Sequence, residues 1–186
     1  MNVLEFEKLD ELDYRSKEAY KGLRTNIQLC GEEIKVIMFT SATPNEGKSS
    51  VSFRLAMSLA ESGKQVLFMD ADLRKSVIAG RYNIHKEYNG LSQYLSGMCK
   101  LEDAICVTNI PHLYTMLAGP TPPNPAELLS NKKFEFLIKV LSDAYDYVII
   151  DTPPLGSVID SAIVAQVCDG VALVISANTI SYKFIQ

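Results

Sequence analysis

A chain of 186 residues, 47% of them hydrophobic, can bury one substantial core and is too short for two comfortable ones, so a single domain is expected. Its net charge of −4, with 18 Lys and Arg against 22 Asp and Glu, supplies no basic field, which argues against nucleic acid as a partner. No apolar run approaches the roughly 20 residues that cross a bilayer, and the acidic opening "MNVLEFEKLDELDYR" is not a secretory leader, so a cytosolic chain is expected.

The first periodic stretch is "SKEAYKGLRTNIQ". Tyr20, Leu23 and Ile27 fall on one helical stripe, while Glu18, Lys21 and Arg24 recur every third residue along another. This sets off an N-terminal helical segment over residues 1–30, suited to packing or oligomerisation, from a main body over 31–186. The body opens with an apolar run, "IKVIMFT" (34–40), then "SATPNEGKSS", then an amphipathic stretch over 48–62 that Gly63 closes as a helix C′ residue. A second run, "QVLFMDA" (65–71), leads through short helical stretches at 91–96 and 101–105 to "HLYTMLA" (112–118). The proline-rich "LAGPTPPNPAELL" is the clearest long loop, and its end looks like a capped start to a helix over 126–143. "YVIID" (147–151), a helix over 158–167 and "VALVISA" (171–177) complete the series.

Most of these β-rich runs are almost continuously apolar, as strands are when both faces are buried. Their alternation with helices predicts an α/β fold with a mostly parallel sheet flanked by helices on both faces. Cys30, Cys99, Cys106 and Cys168 form no C-x-x-C pair and are read as reduced packing residues.

Ligands of open parallel sheets sit at the carboxyl ends of strands, where three of these runs end on suggestive chemistry. Against the phosphate-loop pattern G-x-x-x-x-G-K-[ST], the first supplies Ala42 in place of the first glycine, followed by Gly47, Lys48 and Ser49. The loop Thr43, Pro44, Asn45, Glu46, Gly47, Lys48, Ser49 and Ser50 would cradle an anion at a helix N-terminus through its successive N–H groups, Pro44 alone having none. Lys48 would reach the terminal phosphates, and the Ser49 hydroxyl would ligate Mg²⁺. The second run ends in Asp70 and Asp72, and the third in Asp151 after four apolar residues. A carboxylate at the end of a buried strand is costly unless a cation or donor compensates it, and Mg²⁺ would do so.

In chain order, "TSATPNEGKSS", "VLFMDADLRKS", "GLSQYLSG", "PPNPAELL" and "YDYVIIDTPPLGSVIDS" resemble the Walker A, Walker A′, intervening and Walker B segments of bacterial tyrosine kinases. These P-loop kinases accompany capsule and exopolysaccharide synthesis, and the resemblance spans roughly residues 14–180. It implies ATP and Mg²⁺, with catalysis by Lys48, Asp70, Asp72 and Asp151 and metal held by Ser49, Asp70 and Asp151. Asp70 is the first choice for accepting the tyrosine proton, although spacing does not separate it from Asp72. It also implies that Glu18, Lys21 and Arg24 match the ring-forming E-x-x-R-x-x-R motif. Lys21 departs from that motif and lacks the bidentate grip of arginine.

The resemblance further implies a homo-oligomer, protein tyrosine substrates, and a separate transmembrane activator that brings a cytoplasmic kinase to the membrane. Partition and division-site ATPase switches share the architecture but carry a lysine where this chain has Thr43, so they rank second. A scaffold that binds ATP without transferring phosphate ranks third. The family's tyrosine-rich tail has no counterpart here, since Tyr182 is the only tyrosine after Tyr147. Weak self-phosphorylation is therefore expected, of a form either truncated at its C-terminus or naturally short.

Overall fold

The computed structural model describes residues 2–7, 9–84 and 87–178. In chain order it forms β1 (Asn2–Leu4), α1 (Tyr14–Gln28), β2 (Val36–Ser41), α2 (Lys48–Glu61), β3 (Val66–Asp70), α3 (Ile78–Arg81), α4 (Leu91–Leu95), α5 (Leu101–Ala104), β4 (Cys106–Thr108), β5 (Leu113–Met116), α6 (Pro125–Leu129), α7 (Lys132–Ala144), β6 (Tyr147–Asp151), α8 (Asp160–Ala165) and β7 (Gly170–Val174). The strands make one sheet in the order β1-β4-β5-β3-β6-β2-β7. Every neighbouring pair is parallel except β4 and β5, which are antiparallel.

Alternation of side chains along the central strands builds two cores from one sheet. Met38, Leu67, Met69, Val148 and Ile150 face one side, where Phe134, Leu137 and Leu141 of α7, together with Leu91 and Val164, cover them. Phe39, Val66, Phe68 and Ile149 face the other, against Phe53, Leu55, Ala56 and Leu59 of α2. Near-continuous apolar runs are thus explained by burial on both faces. The two edge strands depart: Asn2 and Val3 of β1 are exposed, and in β7 Val171 and Leu173 are partly exposed while Ala172 and Val174 pack inward.

Two expectations need correction. The N-terminal segment is not helical throughout: residues 2–4 are the edge strand β1, paired in register Asn2↔Cys106 to Leu4↔Thr108. Leu4 and Phe6 are buried, and Asn109 fixes the chain by accepting the Phe6 N–H at 3.0 Å. Three residues are too few to display a strand period, and β4, also three residues long, escaped notice for the same reason. The helix expected over 126–143 is two, because the Asn131 side chain accepts the Lys133 N–H and starts α7 afresh. Tyr182 lies outside the described residues, as does the chain end to which the expected truncation refers.

Candidate active site

The register Phe39↔Asp151 and Asp70↔Asp151 brings the carboxyl ends of β2, β6 and β3 side by side, so the loops that follow them form one rim. After β2 the chain turns through Asn45 (φ 67°) and Gly47 (φ 88°), both left-handed, and enters α2 at Lys48. Glu46 is nearly buried and accepts the Thr43 N–H at 2.7 Å. It braces its own loop instead of facing a ligand. Beside it, the β6 exit packs tightly: Leu155 donates its N–H to Ser41 O at 2.8 Å and Gly156 to Ala42 O at 3.1 Å. A Cβ at Gly156 would meet Ala42 O at 2.5 Å, so this approach requires glycine.

Lys48 Nζ lies 3.1 Å from Ser49 Oγ and 3.4 Å from Asp151 Oδ2, while Ser52 Oγ donates to Asp151 Oδ1 at 3.3 Å. Asp151 is 1% exposed and Asp70 is fully buried. Burial, and then the charge of neighbouring Asp151, push the Asp70 carboxyl up to about 7. Burial raises Asp151 also, against the pull of Lys48. Both Asp70 oxygens are occupied: Oδ1 accepts the Asp72 N–H at 3.1 Å and Oδ2 the Ser76 hydroxyl.

Above this pair opens a cavity of about 290 Å³. Pro44, Asn45, Gly47, Lys48 and Ser49 form its phosphate-loop side, and Asp72, Arg74, Lys75, Val77 and Arg81 come from the chain after β3. Pro153, Pro154, Ser157 and Val158 come from the chain after β6. Of the loop residues expected at a nucleotide, Thr43, Glu46 and Ser50 are not on this lining; Ser50 Oγ instead accepts from Arg81. Of the two aspartates that spacing does not separate, Asp72 lines the cavity at 8% exposure, whereas Asp70 is fully buried and is not on its lining.

Sequence reasoning assigned no role to Arg74 and Asp160. Arg74 Nε and Nη2 donate to Asp160 Oδ2 and Oδ1 at 2.7 and 3.0 Å, and the Asp160 carboxylate is wholly buried. This fork clamps the β3 exit against the start of α8. Arg74 stands in "DLRKS" and Asp160 in "VIDS", but the pairing across 86 positions leaves no local signal. Among the stripe residues of α1, Lys21 pairs with Glu18 at 2.8 Å in solvent, while Arg24 turns inward to Ser58 O at 2.7 Å. The stripe is therefore split, with Arg24 half-buried in an intramolecular contact.

A glycine-turned loop feeding a helix, a lysine over it and carboxylates on the adjoining strand ends define a P-loop nucleotide-binding protein. A family model described as an AAA domain matches residues 34–185. Tyrosine-protein kinase CpsD of Streptococcus agalactiae is 44% identical over 172 residues, spanning 92% of this chain and 75% of that protein. The kinase domain of Escherichia coli tyrosine kinase ETK matches with a TM-score of 0.86 at 35% identity, covering 91% of this chain and 67% of that one. The septum site-determining protein MinD from Pyrococcus horikoshii, complexed with Mg-ADP, is more distant, with a TM-score of 0.65 and 27% identity over 75% of this chain and 57% of that one. The chain belongs to the family of bacterial tyrosine-protein kinases, enzymes that use ATP to phosphorylate protein tyrosine.

Proposed function

We propose that this chain transfers the γ-phosphoryl group of ATP to protein tyrosine in the control of capsule or exopolysaccharide synthesis, with a division of labour set by the cavity. The observation that carries it is the meeting of Lys48, Asp72 and the buried Asp70–Asp151 pair at three neighbouring strand ends. The triphosphate lies along the loop N–H groups between Asn45 and Ser49, and Lys48 leaves Asp151 to meet its terminal oxygens. Asp72 receives the proton of the incoming phenol. The phenolic oxygen bonds to the γ-phosphorus as the bond to the ADP oxygen breaks, and ADP departs.

Ser49, Asp70 and Asp151 are of the donor type that suits Mg²⁺, hard oxygens, and would hold it once Asp70 exchanges its bonds to Asp72 N–H and Ser76 and Asp151 its pairing with Lys48. When bound, the ion neutralises charge on the phosphates. Further parts of the proposal are homo-oligomerisation and recruitment to the membrane by a separate transmembrane activator. Among the described residues no helix is long and apolar enough to cross a bilayer.

Lys48→Met removes the phosphate contact without adding bulk. ATP affinity and tyrosine phosphorylation are expected to fall at least about tenfold, measured by nucleotide titration and phosphotyrosine mass spectrometry. Wild-type affinity and transfer in that variant reject the assignment.

A further inference from the structure

Four cations line the cavity, Lys48, Arg74, Lys75 and Arg81. Two of them are matched in the structure, Lys48 by Asp151 and Arg74 by its fork to Asp160. Neither Lys75 nor Arg81 pairs with a carboxylate among the described residues. What sets Arg81 apart is an anchor, because its Nη1 donates to Ser50 Oγ in the first turn of α2. A neutral hydroxyl holds the guanidinium in place without cancelling its charge. The backbone that carries it is fixed as well: Ile78 and Tyr82 are buried, and the Tyr82 ring centroid lies 4.4 Å from that of Phe53 on α2.

Helical geometry sets the flank from which Arg81 meets the phosphate loop. Ser52 turns towards β6, where its hydroxyl donates to Asp151, and Ser49 shares that face three residues earlier. Ser50 stands about 100° further round α2 than Ser49 and faces α3, where Arg81 meets it. Arg81 therefore reaches the cavity with the chain after β3, which also carries Asp72, while Lys48 reaches it from the loop itself.

We propose that Arg81 is a second cation for the phosphoryl group in transfer, supplied by this chain to its own site and acting with Lys48. The proposal rests on the kinase reading and adds a residue to it. During transfer, negative charge spreads over the three equatorial oxygens of the phosphoryl group, and a guanidinium can bond two of them at once. Arg74 could serve only by leaving the wholly buried Asp160 carboxylate without its partner, a costly exchange. Lys75 stays exposed, bonded through its backbone N–H to Asp72. Arg81 gives up one bond to a neutral hydroxyl. It keeps all its protons, so the bonds that form and break remain those of the phenol, the γ-phosphorus and the ADP oxygen.

Arg81 is exposed, so Arg81→Ala is expected to fold with its unfolding midpoint unchanged. The variant and wild type are compared for kcat and KM toward a soluble peptide with one tyrosine. ADP affinity is titrated with and without aluminium fluoride, which mimics a phosphoryl group in flight. The variant's kcat is expected to fall about a hundredfold, with peptide KM and ADP Kd within about twofold of wild type. The tightening of ADP binding that aluminium fluoride brings to wild type is expected to be lost with the arginine. A kcat within about threefold of wild type, or tightening by aluminium fluoride that survives the substitution, overturns the proposal. Loss of ADP affinity in step with kcat also overturns it, and assigns Arg81 to the phosphates that stay with the nucleotide. A raised peptide KM with kcat kept overturns it in favour of a contact to the acceptor peptide. Failure of the kinase reading is distinguishable: wild-type protein would then bind ATP and label no peptide tyrosine.

Discussion

Asp70 and Asp72 stand two residues apart yet occupy different worlds. Asp70 ends a central strand, is sealed beneath the cavity and has its carboxyl raised to about 7 by burial and by Asp151. Asp72, past the strand end, lines the cavity and accepts the Lys75 N–H at 2.9 Å. Burial likewise separates the cysteines. Cys30 is exposed, whereas burial, then the neighbouring Asp169 charge, push the Cys168 thiol up to about 12. The thiolate is the reactive form, so a raised value means that Cys168 stays protonated until the pH approaches 12. At pH 8 an alkylating reagent is expected to modify Cys30 well before Cys168, read by peptide mass spectrometry. Equal rates would show that Cys168 is not shielded as described.

At the scale of elements, α1 carries two functions that its sequence presents as one stripe. Lys21 and Glu18 pair in solvent, where such bridges contribute little stability. Arg24 instead ties α1 to α2 through the Ser58 carbonyl, a charge-assisted bond worth about 1.5 kcal/mol or more. Arg24→Ala is therefore expected to lower the unfolding midpoint, whereas Glu18→Ala with Lys21→Ala leaves it within a degree or so. If the exposed half of the stripe joins subunits, that double variant also reduces the particle mass seen by light scattering. An unchanged mass for an oligomeric wild type would remove these two residues from the interface. The stripe was legible because helical period is local; its division was not, because the Ser58 carbonyl lies 34 residues away.

For the whole molecule, Leu4 and Phe6 belong to the core. Phe6 is 2% exposed, with ring centroids 4.8 Å from Phe53 and 5.5 Å from Tyr82, in the aromatic cluster beneath α2. Phe6→Ala is expected to cost about 3 kcal/mol or more in a denaturant titration, since neighbouring rings cannot close over the void. A loss below about 0.5 kcal/mol would mean that residues 2–6 lie on the domain without stabilising it. The same sheet explains why the site holds together. Placing β6 between β3 and β2 sets Asp151 between Asp70 and the phosphate loop, so three loops far apart in sequence share one rim.

By itself the sequence determined the parallel α/β class, the phosphate loop at Gly47-Lys48-Ser49 and the three aspartates at strand ends. Those features are written in short-range pattern: apolar runs, a turn glycine and a charge at the close of each run. Strand order, the antiparallel β4–β5 pair, the burial that separates Asp70 from Asp72 and the Arg74–Asp160 fork were decided only by the tertiary structure. They depend on residues brought together from distant parts of the chain, and burial, which sets the charge cost at Asp70, exists only once the sheet has closed its two cores.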